Sequence, residues 1–217
     1  MKEKCYLYRN ENKIAYKSNE IIEKYYKGVS EREKFKKKEE LFHLLVLIDL
    51  ANNDKKEKIN EVIPNEPGDA IIIDKDNNKH LFEIFKVFGD EENILMRKLI
   101  ENIFKGGSRE EKYCYFDAEK MKGILLKKLS DKNDKDYLLD SEYTTKNILI
   151  VTCEHNRCAI AGEWVGILLG KVLQQQFTMK NYDNLFLLDY MASGKDGGPI
   201  SYNLEEEVSK LKEYGLI

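Results

Sequence analysis

Long apolar runs are missing from this chain. No stretch reaches the ~18 consecutive apolar residues of a membrane-spanning helix, and the N-terminal MKEKCYLYRNENK has no apolar core of the kind a signal peptide requires. A cytoplasmic protein with no membrane contact is therefore expected. Cysteine is sparse as well: Cys5, Cys114, Cys153 and Cys158 form no CxxC pair, so free and mostly buried thiols are expected in a reducing compartment. Cys153-Glu154-His155-Asn156-Arg157-Cys158 could begin a zinc site, but tetrahedral coordination would need a further ligand from far away in the chain. An excess of positive charge is absent too. With 36 basic and 39 acidic residues the formal net charge is −3, which excludes a chain-wide basic footprint for nucleic acid. Basic character is local, in Arg32-Glu33-Lys34-Phe35-Lys36-Lys37-Lys38 and again in Lys120, Lys122, Lys127, Lys128, Lys132 and Lys135. There is no internal repeat, low-complexity tract or flexible interdomain linker, and 217 residues with 42% hydrophobic content suffice for a substantial core. One soluble domain over residues 1–217 is expected.

What is present is most informative between Asn65 and Gly89. Ala70 to Ile73 and Leu81 to Phe88 are rich in β-branched and aromatic residues, whereas Asp76-Asn77-Asn78-Lys79 is turn chemistry. This predicts a β-hairpin carrying one acid per strand, Asp69 and Glu83. Because side chains alternate along a strand, loop length decides whether the two share a face. A two-residue loop separates them. A three-residue loop of Asp76, Asn77 and Asn78, with Asn78 left-handed, pairs Lys75 with Lys79 and sets Asp69 opposite Phe85, beside Glu83 and on its face. Two converging carboxylates repel unless a cation lies between them, and hard oxygen ligands suit Mg²⁺ or Mn²⁺. The alternative from the hairpin alone is a pair of solvated acids near strand ends.

Upstream, Ser30 to Asn53 reads as a helix, opened by a Ser30/Glu33 capping box and carrying Phe35, Leu41, Leu44, Leu45 and Ile48 at helical spacing. Glu39 and Glu40 precede its apolar run, and His43 is expected to be an interface histidine. A helix with a Glu, then Pro67-Gly68-Asp69, then Glu83-Ile84-Phe85-Lys86 resembles the core of the PD-(D/E)xK nuclease superfamily, in which a first strand opens with Pro-Asp and a second carries Glu-x-Lys. The resemblance covers residues 30–153. Two positions depart from the pattern: Gly68 is inserted between Pro67 and Asp69, and Phe85 stands where the lysine belongs, with Lys86 one position late. By alternation Lys86 points away from Glu83 unless a β-bulge lies near Phe85.

The resemblance implies an α/β, three-layer restriction-endonuclease-like core with a mixed sheet and flanking helices, and a metal-dependent nuclease acting on DNA or RNA. Asp69 and Glu83 would bind Mg²⁺ or Mn²⁺, Glu40 would be the helical acid, and the amine would come from Lys86, or from Lys127 or Lys128 on the next helix. The departures equally suit a catalytically degenerate domain that binds nucleic acid or a protein partner.

Residues 1–29 are expected to be an N-terminal appendage, with two short strands over Met1 to Tyr16 and a short helix from Asn19 to Tyr26. Beyond the hairpin, Asp90 caps an apolar helix, Lys112 to Phe116 reads as a strand, and Asp117 starts a further helix. The unbroken apolar run Asn147 to Thr152 has the character of a strand buried on both faces. Residues 154–217 are expected to complete the sheet as helix, strand and helix. Ile148 to Glu163 superficially looks like the phosphate loop of low-molecular-weight tyrosine phosphatases, but the sixth residue after Cys153 is Ala159 and after Cys158 is Trp164, so the clamping arginine is absent. Gly162, Gly166 and Gly170 form one row on the expected helix from Cys158 to Phe177, a surface suited to close packing on the sheet or to a homodimer seam.

Overall fold

The computed structural model describes residues 11–55, 59–65, 68–87, 105, 118–134, 142–152, 181–189 and 200–214. Helix α1 spans Glu11–Tyr25 and α2 spans Glu31–Lys55. Strands β1 (Ile59–Pro64), β2 (Ala70–Asp74) and β3 (Lys79–Val87) follow. Helix α3 (Ala118–Asn133), β4 (Thr145–Thr152), β5 (Asn184–Asp189), β6 (Ile200–Asn203) and α4 (Leu204–Glu213) complete the described elements. All four cysteines, the expected helix after Asp90, the strand at Lys112 to Phe116 and the glycine-row helix lie outside the described residues.

Among the described residues the sheet has six strands in the order β1-β2-β3-β4-β5-β6. The pairs β1/β2, β2/β3 and β5/β6 are antiparallel, whereas β3/β4 and β4/β5 are parallel. The chain is thus an α/β protein with a mixed sheet. Strand β4 owes its central place to its unbroken apolar sequence. Leu149 and Val151 pack with α1 and α2, while Ile148 and Ile150 pack with α3, so both faces of the strand are covered. The same alternation runs through β3, where Phe82 and Ile84 face α2, and Leu81, Phe85 and Val87 face α3. Helix α2 is buried continuously from Leu41 to Ile48, because it lies between α1 and the sheet. Its start is capped as its sequence indicates: the Glu33 N–H donates to Ser30 Oγ at 3.3 Å, and the hydroxyl donates to Glu33 Oε2 at 2.7 Å.

Three local expectations are corrected. Residues 11–16 are helical rather than extended, because Ile14, Ala15 and Ile22 recur at helical spacing and bury against α2, so α1 is longer than the short helix expected and contributes to the core. Strands β1 and β6 were not anticipated; both are short outer strands, and β1 carries only the burial of Val62 and Pro64 to mark it. The hairpin loop has the expected three residues, but they are Lys75, Asp76 and Asn77. The closing pair is Asp74 and Asn78, with the Asp74 N–H donating to the Asn78 carbonyl at 3.1 Å. Asp74 displaces Lys75 from this position because its carboxylate accepts from the Asp76 and Asn78 N–H groups at 2.8 and 2.9 Å, bonding that a lysine cannot offer. The left-handed residue is accordingly Asn77, at φ 64°, not Asn78.

No helix among the described residues is long and apolar enough to cross a membrane.

Candidate active site

The one-residue shift of the loop moves the register by two, which preserves parity. Ala70 pairs with Phe82 and Ile71 with Leu81, so Asp69, just ahead of the first paired residue, comes beside Glu83 at the end of the ladder and not opposite Phe85. Both acids therefore lie on the face covered by α3. Both are within reach of one cation, the Lys132 ammonium of α3. Glu83 is buried to 1% exposure and Asp69 is also buried.

Asp69 is fixed at the point where the ladder ends. Its N–H donates to the Phe82 carbonyl at 3.0 Å, and its Oδ2 accepts from the Ile84 N–H at 2.7 Å. The inserted Gly68 explains how the chain reaches this position. It sits at φ +94°, and a Cβ there would come within 2.7 Å of Leu81 Cδ1, so a side chain would meet both a left-handed backbone and a buried leucine. The insertion is the turn that delivers Asp69 to its place.

Four charged side chains gather around the two acids. Lys132, in the last turn of α3, contacts Glu83 Oε2 directly and lies 3.7 Å from Asp69 Oδ2. Lys37 of α2 lies 3.6 Å from Asp69 Oδ1 and 3.4 Å from Glu40 Oε2. The exposed Lys36 reaches Glu40 Oε1 at 3.6 Å. Burial, and secondarily the charge of Asp69, push the Glu40 carboxyl above its ordinary range. The root of Lys132 is held from the sheet: the Tyr182 hydroxyl donates to the Lys132 carbonyl at 3.2 Å, and Asn181 Nδ2 donates to the Asn133 carbonyl at 2.7 Å. Burial, then the charges of Glu83 and Asp69, push the Tyr182 phenol upward, which keeps it a neutral donor.

Of the described contacts of Lys86, Lys127 and Lys128, the lysines put forward as the amine, none is with the two acids. The β3/β4 register runs without interruption through Phe85, so there is no bulge and Lys86 points to the α2 face. There its Nζ lies 2.6 Å from Glu39 Oε1. Lys128 donates to the Lys86 carbonyl at 2.7 Å and stands 5.9 Å from the Phe85 ring centroid, and burial lowers its pKa. Lys127 is exposed. Lys132 is one turn beyond Lys128 and on the same helix face, so the i, i+4 spacing was the signal that could have found it. His43 is fully buried beside Phe42, and burial, with the nearby Lys86 charge, drives its pKa well below the ordinary value; it stays neutral.

The residues present fit a hard divalent cation. Two buried carboxylates already share a cation, the Lys132 ammonium, and Glu40 Oε2 is buried without a hydrogen bond. Among the described residues no group of three or more His, Cys, Asp or Glu side chains forms a ready metal cage. Mg²⁺ is held by one or two carboxylates with water and substrate phosphate completing its shell, and Asp69 and Glu83 supply two. Comparison of the chain with protein-family models, with curated proteins and with solved structures finds no match.

The raised Glu40 carboxyl carries a pH signature. A carboxyl whose folded pKa lies above its unfolded value favours folding while protonated, and that contribution is lost as pH rises through the folded pKa. Glu40→Gln should therefore gain in melting temperature relative to wild type as pH increases from about 4.5, the ordinary value, towards neutrality. Below that value the two should converge. Thermal melts across this range check the sign; a difference that shrinks with rising pH contradicts the assignment.

Proposed function

We propose that the protein is a metal-dependent phosphodiesterase acting on DNA or RNA, built on a three-layer restriction-endonuclease-like core. The observation that carries this reading is the convergence of the buried Asp69 and Glu83 carboxylates on one cation, with the helical acid Glu40 joined to Asp69 through Lys37. The order helix, hairpin, helix, strand, with β3, β4 and β5 parallel, also accords with the resemblance carried by Pro67-Gly68-Asp69 and Glu83.

In this reading Asp69 and Glu83 hold Mg²⁺ or Mn²⁺, which would polarise the scissile phosphate and acidify a bound water. The Ile84 N–H keeps the Asp69 carboxylate aimed into the site. Glu40, with its raised pKa, suits the transfer of a proton to or from water. Lys132 takes the part for which the sequence had suggested Lys86 or Lys128, since it is the amine within reach of both acids, and there its charge can orient a phosphate. Lys36 and Lys37 bring further positive charge on the α2 side, which local recognition of a polyanion needs in a chain of net charge −3.

The test is direct. Purified full-length protein incubated with single- and double-stranded DNA and RNA should cleave at least one of them with Mg²⁺ or Mn²⁺ and none with a chelator. A second reading, a catalytically degenerate domain that binds nucleic acid or a protein, draws on Phe85, which occupies the expected lysine position and is buried against α3. Absence of cleavage across all four substrates would favour it.

A further inference from the structure

We infer that Lys132 is an internal counter-ion that a divalent cation has to displace, so that one side chain opposes loading of the metal and then serves the loaded site. The inference rests on reading Asp69 and Glu83 as a metal site. Its starting point is geometric. Two buried carboxylates, Glu83 at 1% exposure and Asp69 at 9%, face one ammonium. Lys132 supplies it by touching Glu83 Oε2 and standing 3.7 Å from Asp69 Oδ2. An ion bound to those oxygens would occupy the region held by the ammonium, and two cations do not share it.

The surroundings permit this exchange. The Lys132 side chain is 19% exposed, so it has a route to solvent. Its carbonyl is tied by Tyr182 and the next one, of Asn133, by Asn181, which confines the movement to the side chain and keeps the amine close once displaced. Asp69 would not collapse on losing the lysine, because the Ile84 N–H bond and the Lys37 charge remain. A displaced ammonium rooted one side chain's length from the acids is well placed to meet a substrate phosphate.

Removing the lysine should therefore have effects of opposite sign. Lys132→Met, which keeps the aliphatic volume and discards the charge, should bind Mn²⁺ about tenfold more tightly or better, because the competing cation is gone. The same variant should lose cleavage. Lys132→Arg, which keeps the charge, should bind Mn²⁺ with an affinity close to that of wild type. Mn²⁺ affinity is measured by titration of the free ion's paramagnetic resonance signal, with circular dichroism as the check of folding. A second measurement needs only the wild type. Mn²⁺ should raise the rate at which Lys132 is acetylated, read by mass spectrometry against the exposed Lys127. Unchanged or weaker Mn²⁺ binding in Lys132→Met, or a Lys132 acetylation rate indifferent to Mn²⁺, overturns the proposal. If wild type cleaves no nucleic acid while Lys132→Met binds Mn²⁺ more tightly, displacement stands and the hydrolytic reading falls. If wild type cleaves and Lys132→Met keeps the wild-type affinity, the reverse holds.

Discussion

Glu83→Gln should reduce metal-dependent cleavage by about 10²–10³-fold or more, the scale on which removal of one essential charge-stabilising group usually acts, while leaving the fold intact. The amide keeps the volume and shape of the buried side chain, so no cavity opens beneath Leu81 and Phe85. What it removes is one of the two carboxylates that converge on Lys132, and an ion left without it is underbound. Lys132 loses its closest partner, yet it remains near Asp69 and is part exposed, so it is not stranded as a buried charge. Mn²⁺ affinity should therefore fall together with activity, the opposite of the effect expected for Lys132→Met. Single-turnover cleavage under saturating Mn²⁺, compared with wild type, is the deciding measurement. Unchanged cleavage in Glu83→Gln would remove these two acids from the mechanism.

Lys86→Ala should destabilise the protein by about 2–3 kcal/mol, somewhat below the ~3–5 kcal/mol for breaking a fully buried pair, because Lys86 keeps 27% of its side chain exposed. By alternation Lys86 points away from the acids. The face it points to is occupied by α2, and its ammonium is 2.6 Å from the buried Glu39 carboxylate. Truncating the lysine leaves that carboxylate without its cation. A cycle with Glu39→Gln separates the causes, since Lys86→Ala in the Glu39→Gln background should cost markedly less than in wild type. Urea denaturation of the four proteins measures the coupling; additive losses would mean that the pair contributes nothing. Glu39 and Glu40 are neighbours, so the pair lies on the turn of α2 that also carries Glu40.

The legible parts of this molecule share a physical character. The apolar period of α2, the β-branched runs of β2 and β3 and the continuous run of β4 are local patterns, and each found its element within a residue or two. The common face of Asp69 and Glu83 was legible as well, because parity depends only on loop length and not on which residues form the loop. The register was not: Asp74 competes with Lys75 for the closing position through side-chain bonds to Asp76 and Asn78, and apolar periodicity does not weigh such bonds. Strands β1 and β6 escaped because short outer strands need little apolar sequence and borrow their order from the neighbour they pair with.

The identity of the amine at the site belongs wholly to tertiary structure. Sequence spacing placed Lys86, Lys127 and Lys128 near the motif, but which lysine meets the acids depends on how α3 lies across β3, a matter of crossover length and packing angle that local pattern does not encode. Sequence by itself determined the common face of the two acids, the helix bearing Glu39 and Glu40 and the α/β class, since these follow from periods of two and 3.6 along the chain. The packing of the two helical layers decided the rest: Lys132 on the acids, Lys86 on Glu39 and Lys37 between Glu40 and Asp69. The physical reason is reach. A lysine amine ranges several ångströms from its backbone, so its partner is set by the surfaces that packing brings within that radius and not by its place in the sequence.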